Sequence, residues 1–163
     1  MKEVFKNIHG NVIETPDWLF SELNKEFGFT FDLACNVQNM KTNNGYPVEN
    51  FNSLEMDWHK NKGWQWLNPP YSPLKPWIEK TQKENKLGAK VVVLMPNVFA
   101  TKYFASHKPS EIRVIVGRIN FIKNGIEMKG NMTDVSIVVY GESNNTKISW
   151  VYRDELRSST KGF

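Results

Sequence analysis

The spacing of apolar and polar residues in the first half of the chain predicts helices and strands in alternation. Thr15 is a suitable N-cap and Pro16 a suitable first helical residue, and the helix that they begin ends at Gly28. Its apolar face consists of Trp18, Leu19, Leu23 and Phe27. Residues 29–35 and 63–67 each predict a short strand, and the polar residues between these two runs predict a loop.

A second helix and a buried strand are predicted next. Ser72 can cap the helix, Pro73 can begin it and Gly88 closes it. Its buried face consists of Leu74, Trp77, Ile78 and Thr81. The continuous apolar run of residues 91–95 is typical of a strand buried on both faces. A short helical stretch is predicted at residues 101–106.

The second half of the chain is rich in strands separated by Gly and Asn turns. We predict these strands at residues 112–116, 118–122, 135–140 and 147–152. Strands that alternate with helices and then follow one another directly indicate an α/β fold with a mixed sheet and antiparallel strands in the C-terminal half. A chain of 163 residues fits one domain, which we expect at residues 15–163 after an N-terminal arm at residues 1–14.

Composition and charge narrow the class of protein. The formal net charge of +4 is compatible with a polyanionic partner. The single cysteine excludes an intrachain disulfide, and the three widely spaced His residues argue against a metal site. No apolar run approaches the roughly 18 residues that span a membrane, and the first ten residues lack an apolar signal region. We therefore expect a cytoplasmic protein without a metal.

The tetrapeptide Asn68-Pro69-Pro70-Tyr71 carries the sharpest chemical signal. It follows a predicted buried strand, and ligand sites in open α/β sheets lie beyond the carboxyl ends of strands. The Asn68 side-chain oxygen and the Pro69 carbonyl can accept both hydrogens of a planar amine, which makes its nitrogen more nucleophilic. The prolines stiffen the loop, and Tyr71 offers a face on which an extracted base can stack. The alternative is an ordinary turn between strand and helix.

An ordered set of segments resembles the small phage-type DNA N6-adenine methyltransferases. These segments are Thr15-Pro16, residues 31–34, residues 66–72, Trp77, residues 93–96, residues 117–121 and residues 135–140. The resemblance implies a trimmed Rossmann-like methyltransferase sheet, S-adenosylmethionine as cofactor and DNA as substrate, with the adenine flipped into a pocket at residues 68–71. It also implies a catalytic domain without a separate target-recognition domain, located in the host cytoplasm if the gene is carried by a phage.

The resemblance also implies roles for single residues. Thr15 and Pro16 would hold the methionine part of the cofactor. Asp32 would correspond to the acidic residue in the loop after the first strand, which binds near the amino group of the cofactor. Asp57 would bind the adenosine of the cofactor. The glycine-rich turn that is usual in nucleotide-cofactor methyltransferases is absent. The small residues Ala34 and Cys35 would instead let the backbone approach the cofactor closely, and Asn68 would also contact the cofactor. The thiol is expected to pack against the cofactor and not to react. Contacts with DNA are expected from Trp77, Lys75, Lys80, Arg118 and Lys123, and recognition from loops at residues 36–50 and 123–132.

Three other interpretations stay open at this stage. The same motif occurs in enzymes that methylate an RNA adenine or a protein glutamine, because both present a planar nitrogen. Methylation of cytosine N4 uses related chemistry, usually with Ser in place of Asn68. A binding module without catalysis would keep the fold but would not need the intact motif. The oligomeric state is left open between a monomer and a homodimer.

Overall fold

The computed structural model describes residues 13–130 and 133–159. The predicted N-terminal arm lies outside this part of the chain, except for Ile13 and Glu14. The helices are α1 (Asp17–Phe27), α2 (Lys75–Lys86), α3 (Lys102–Ala105) and α4 (Arg153–Ser158), and two 3-10 turns occupy Ser53–Glu55 and Trp58–Lys60. The strands are β1 (Phe31–Cys35), β2 (Gly45–Pro47), β3 (Trp64–Leu67), β4 (Lys90–Pro96), β5 (Glu111–Val116), β6 (Ile122–Lys123), β7 (Ile126–Glu127), β8 (Val135–Tyr140) and β9 (Lys147–Tyr152).

Seven strands form one mixed sheet in the order β2-β1-β3-β4-β8-β5-β9. Neighbouring strands pair in parallel except at β8, which runs antiparallel to both β4 and β5. Strands β6 and β7 form a separate hairpin. The α/β class with a mixed sheet is therefore confirmed, and β4 is buried over residues 91–95 as its apolar run predicted. No helix within the described residues is long and apolar enough to cross a membrane.

The sheet separates two apolar cores because successive side chains of a strand point to opposite faces. On one face, Leu19 and Leu23 of α1 pack with Val92 and Ile137. On the other face, α2 and α3 pack against the sheet with side chains that include Ile78, Val91, Val93 and Phe104. Both cores reach β3, whose Trp66 and Leu67 point to opposite sides. The loop that follows β3 is therefore anchored on a strand that is fixed from both faces.

The chain reverses its direction of travel across the sheet at β1. From β1 it passes to β2 on one side, and it then returns to β3 on the other side. The carboxyl ends of β1 and β3 meet at this point, at Cys35 and Leu67. In open α/β sheets a crevice opens where the strand order reverses, and ligands bind there. The topology thus places a candidate site directly at the predicted catalytic loop.

Local structure differs from the sequence prediction around both long helices and in one strand. Glu14 pairs with Ile122 in an antiparallel bridge. Helix α1 begins only at Asp17, so its N-cap is Pro16 and not Thr15. Helix α2 begins at Lys75, two residues later than predicted, with a proline in its first turn, where a missing N–H costs no hydrogen bond.

The predicted strand at residues 118–122 is wrong, because only Ile122 belongs to a strand. Ile119 and Phe121 are both fully buried, so their alternation reflects packing of an irregular segment against the core. The three-residue strand β2, in contrast, lies inside the segment predicted as a loop.

Candidate active site

A cavity of about 610 Å³ opens at the carboxyl edge of β1 and β3. That volume lies within the range of roughly 300–1,000 Å³ that is usual for small-molecule sites. Its walls come from five parts of the chain: residues 13–15, residues within 32–53 and within 66–72, Trp77 of α2, and Lys123 with Met128 at the hairpin. The cavity therefore joins the motif loop to the end of β1, as the reversal of strand order leads us to expect.

Asn68 presents its side-chain oxygen as an acceptor at the cavity wall. Its Nδ2 donates a hydrogen bond to the Ile13 carbonyl over 3.4 Å, which orients the amide. Within residues 13–130 and 133–159, no donor contacts Asn68 Oδ1 or the Pro69 carbonyl. Both residues line the cavity. The loop thus offers two neighbouring acceptors, which is the arrangement that a planar amine with two hydrogens requires.

The ring of Tyr71 is fixed beside these acceptors. It packs edge-to-face with Phe121, with ring centroids 6.1 Å apart and planes at 87°. Its hydroxyl is buried without a hydrogen-bond partner in the described structure, and burial raises the pKa of Tyr71. The phenol is therefore neutral at physiological pH, and the ring contributes surface to the cavity and not charge.

Asp32 places a buried carboxyl group in the cavity wall. It is the second residue of β1, so its predicted position in the loop after the strand is wrong. The side chain is 2% exposed and accepts hydrogen bonds from the backbone N–H groups of Lys41 (2.9 Å) and Ala34 (3.3 Å). Burial raises the pKa of Asp32 to about 6, and the two hydrogen bonds oppose this effect. The group is mostly ionised at pH 7, and the Lys41 ammonium, which also lowers its pKa, is paired with Asp17. The carboxylate therefore suits a ligand that carries donors or a positive charge.

Close approach of the backbone at the end of β1 depends on Gly45, which the sequence analysis missed. A Cβ atom at Gly45 would lie 2.8 Å from the Asp32 carbonyl oxygen and 3.0 Å from Cys35 Sγ. The missing glycine of the β1 loop is thus replaced by one on the neighbouring strand β2. Its signal in the sequence is that it is the only glycine between residues 36 and 50. Cys35 is buried, which raises the pKa of its thiol and keeps it protonated.

Besides the Tyr71 hydroxyl, two further buried polar groups in the cavity wall have no partner among the described residues. Thr15 is 2% exposed and Trp77 is 3% exposed, and both line the cavity. Neither Thr15 Oγ1 nor Trp77 Nε1 has a hydrogen-bond partner. Buried polar groups are nearly always hydrogen-bonded in native proteins, so these two atoms indicate a ligand with matching polar groups. Pro16, in contrast, does not line the cavity and accepts the backbone N–H groups of Leu19 and Phe20.

Five of the residues predicted for cofactor or DNA lie outside the cavity, and Pro16 is one of them. Asp57 is exposed and pairs with Lys60 at 2.6 Å, which lowers the pKa of Asp57. The other three are predicted DNA contacts. Lys75 pairs with Glu79, and Lys80 pairs with the buried Glu84. Arg118 is exposed just after β5. The structure does bring together Thr15, Asp32, Ala34, Cys35, Trp77 and Lys123 with residues 68–71.

A cluster of Asp57, His59 and Glu84 lies apart from the cavity and was not anticipated. One potential metal-binding atom from each of these residues lies within 4.8 Å of the others. The carboxylates already hold Lys60 and Lys80, and Glu84 also contacts the His59 ring at 2.6 Å. Because both carboxylates are already engaged in these ion pairs, we interpret the cluster as an ion-pair network that ties α2 to the turn at Trp58–Lys60.

Comparison with known proteins finds similarity to a described family and to a phage protein. A model of the family described as DNA N-6-adenine-methyltransferase (Dam) matches residues 4–162. A protein of Haemophilus phage HP1 (strain HP1c1), named DNA N-6-adenine-methyltransferase, is 35% identical over 116 residues. That alignment covers 68% of this chain and 65% of the phage protein. The match to the family model includes every residue that lines the cavity.

Proposed function

The chain belongs to the DNA N-6-adenine-methyltransferase family, and from that premise we propose that it transfers a methyl group from S-adenosylmethionine to N6 of adenine in DNA. The observation that carries the proposal is the loop at residues 68–71. It stands at the carboxyl end of β3, lines the cavity and presents two acceptors without partners in the described structure. The mixed sheet, with a cavity where its strand order reverses, supports the Rossmann-like methyltransferase architecture.

The cofactor is assigned to the part of the cavity that contains Thr15 and Asp32. An ionised Asp32 would attract the amino group of the cofactor, and Thr15 Oγ1 would gain a hydrogen-bond partner for its buried hydroxyl. Cys35 and Gly45 keep this region narrow, since the two strands approach closely there. When bound, the cofactor supplies a methyl group on a positively charged sulfur. Asp57 is not included in this assignment, because it lies outside the cavity.

The target adenine is assigned to the motif loop. Asn68 Oδ1 and the Pro69 carbonyl would accept the two N6 hydrogens and draw electron density onto the nitrogen. Tyr71 would stack against the flipped base, since its ring is already held by Phe121. Holding the amine in line with the methyl group provides much of the rate enhancement by proximity and orientation. The proton leaves after methyl transfer, so no strong general base is needed.

Contacts with the DNA backbone are assigned to two cations, one in the cavity wall and one on the segment that leads to it. Lys123 lines the cavity on β6, and Arg118 is exposed on the segment that leads to it. The turn of the β6–β7 hairpin, Asn124-Gly125, has positive φ at both residues, as tight two-residue hairpins require. At its tip Ile126 is 72% exposed, so the hairpin can meet the bases beside the extracted adenine. Lys80 is left out, because it neutralises the buried Glu84.

A methyl-transfer assay tests the proposal directly. The purified protein is incubated with tritiated S-adenosylmethionine and either unmethylated DNA or RNA, and the nucleic acid is digested to nucleosides. We expect the label in N6-methyladenine. Label in RNA or in protein would refute the assignment of DNA as substrate. Binding of the cofactor without any transfer would instead support a module that has kept the fold and lost the chemistry.

A further inference from the structure

The indole N–H of Trp77 is buried in the cavity wall without an acceptor. Trp77 is the third residue of α2, and its side chain is 3% exposed. The neighbouring Trp58 is also buried, but its Nε1 donates to the Ser53 carbonyl over 2.9 Å. A buried tryptophan usually finds a partner for its N–H, as Trp58 does. Of these two packed indoles, therefore, only Trp77 is left to be satisfied by a ligand.

The surroundings of Trp77 are flat and apolar. Its ring stacks on Trp58 with centroids 6.4 Å apart and planes at 26°. Trp58 in turn is held by Ser53, which lines the cavity together with Val48 and Phe51. The Ser53 hydroxyl already donates to the Leu33 carbonyl, so it is not available as a donor. This part of the cavity therefore suits a planar ring that carries a hydrogen-bond acceptor.

The charged groups of the cavity wall are Glu14, Asp32, Lys41 and Lys123. The Lys41 ammonium pairs with Asp17 at 2.5 Å, and its backbone N–H binds the Asp32 carboxylate. The Lys80 ammonium lies 5.6 Å from the centroid of the Trp58 ring, but it is paired with Glu84. A carboxylate or phosphate would therefore be poorly matched at Trp77, whereas a heteroaromatic ring would be well matched.

We propose that Trp77 Nε1 donates a hydrogen bond to a ring nitrogen of the adenine of S-adenosylmethionine. The inference rests on the proposed function. It places the adenine against Val48, Phe51 and Trp77, and the methionine half toward Thr15 and Asp32. The methyl group then lies between the two ends, at the motif loop. Trp77 thereby becomes a residue that selects the cofactor, in place of its predicted contact with DNA.

Calorimetric binding of S-adenosylhomocysteine in the absence of DNA tests this role, because no target base is present. The variant Trp77→Phe keeps an aromatic ring and removes the N–H. We expect its affinity to fall about tenfold, the effect of one lost hydrogen bond. The matched control Trp58→Phe removes an N–H whose partner is protein, and its affinity should stay within about twofold of wild type. Circular dichroism checks that both variants are folded.

Analogues of S-adenosylhomocysteine that lack one ring nitrogen identify the acceptor. The 1-deaza, 3-deaza and 7-deaza compounds are measured with wild type and with Trp77→Phe. We expect one of the three to bind wild type about tenfold more weakly than the parent, and that difference should disappear in the variant. Equal affinity of wild type for all three analogues and the parent overturns the inference without any variant.

The two proposals fail in different ways. If wild type binds S-adenosylhomocysteine and Trp77→Phe binds it equally well, the role of Trp77 is overturned and the assigned cofactor stands. If wild type does not bind S-adenosylhomocysteine at all, the assigned cofactor is overturned and the role of Trp77 falls with it.

Discussion

Raising the pH from 4 to 7 should weaken the folded protein through Asp32. Burial raises the pKa of Asp32 to about 6 from its ordinary value of 3.8. Between these two values the folded state holds more protons than the unfolded state, so the free energy of unfolding decreases as the pH rises. This sign is opposite to that of a carboxylate in an ion pair. The protonated Asp32 therefore costs the folded protein no stability below pH 3.8. Above pH 6 the free energy of unfolding is lowered by the full cost of ionising this buried group.

The size of the effect follows from the same pKa values. They lie roughly two pH units apart, and each unit corresponds to about 1.4 kcal/mol. The complete cost of ionising Asp32 in the folded protein is then about 3 kcal/mol. About 2 kcal/mol of it is expected between pH 4 and pH 7, because at pH 4 this carboxyl group is already more than half ionised in the unfolded state.

Urea unfolding of wild type and Asp32→Asn at several pH values from 4 to 7 measures this contribution. The free energy of unfolding of wild type minus that of the variant should fall by about 2 kcal/mol over this range. Taking the difference removes the other titrating groups. The control Asp57→Asn removes an exposed carboxyl whose pKa is lowered by Lys60, so its difference should change in the opposite direction. A difference for Asp32 that is flat or rises with pH would refute the reasoning.

The remaining expectations concern the catalytic loop, the β1–β2 pair and the DNA surface. Asn68→Ala should abolish methyl transfer and leave cofactor affinity within about tenfold, and wild-type turnover would contradict its role. Gly45→Ala should lower the free energy of unfolding by about 1–3 kcal/mol, since the new Cβ would lie 2.8 Å from the Asp32 carbonyl oxygen, and an unchanged urea midpoint would contradict this. Arg118→Ala and Lys123→Ala should each reduce the slope of log DNA affinity against log salt by about 1, whereas an unchanged slope excludes that phosphate contact.

Features that depend on local sequence were predicted well. The strands at residues 135–140 and 147–152 have the bounds that the apolar pattern indicated. The motif loop stands at the end of a buried strand, because consecutive prolines cannot continue a central strand. Periodicity and proline positions act within a few residues, so one sequence is sufficient to recognise them.

Features that depend on distant contacts were not predictable in the same way. Strand β2 has only three residues, and it is a strand because it pairs in parallel with β1 in the folded sheet. The importance of Gly45 becomes visible only when Asp32 and Cys35 are seen beside it. Likewise, the sequence around Asp57 does not reveal that its loop turns away from the cavity toward α2. Composition and motifs identify the chemistry, whereas the walls of the site depend on how the loops pack.

The bridge between Glu14 and Ile122 has a consequence for the order in which the protein folds. Its two backbone hydrogen bonds, of 2.7 Å and 2.9 Å, attach the segment before α1 to the hairpin strand β6. Closing a loop of about 100 residues costs about 4 kcal/mol of chain entropy, so such a contact forms after the local elements are in place. During synthesis the motif loop therefore emerges long before its cavity can close, and the ability to bind a ligand arises only when most of the chain has been made.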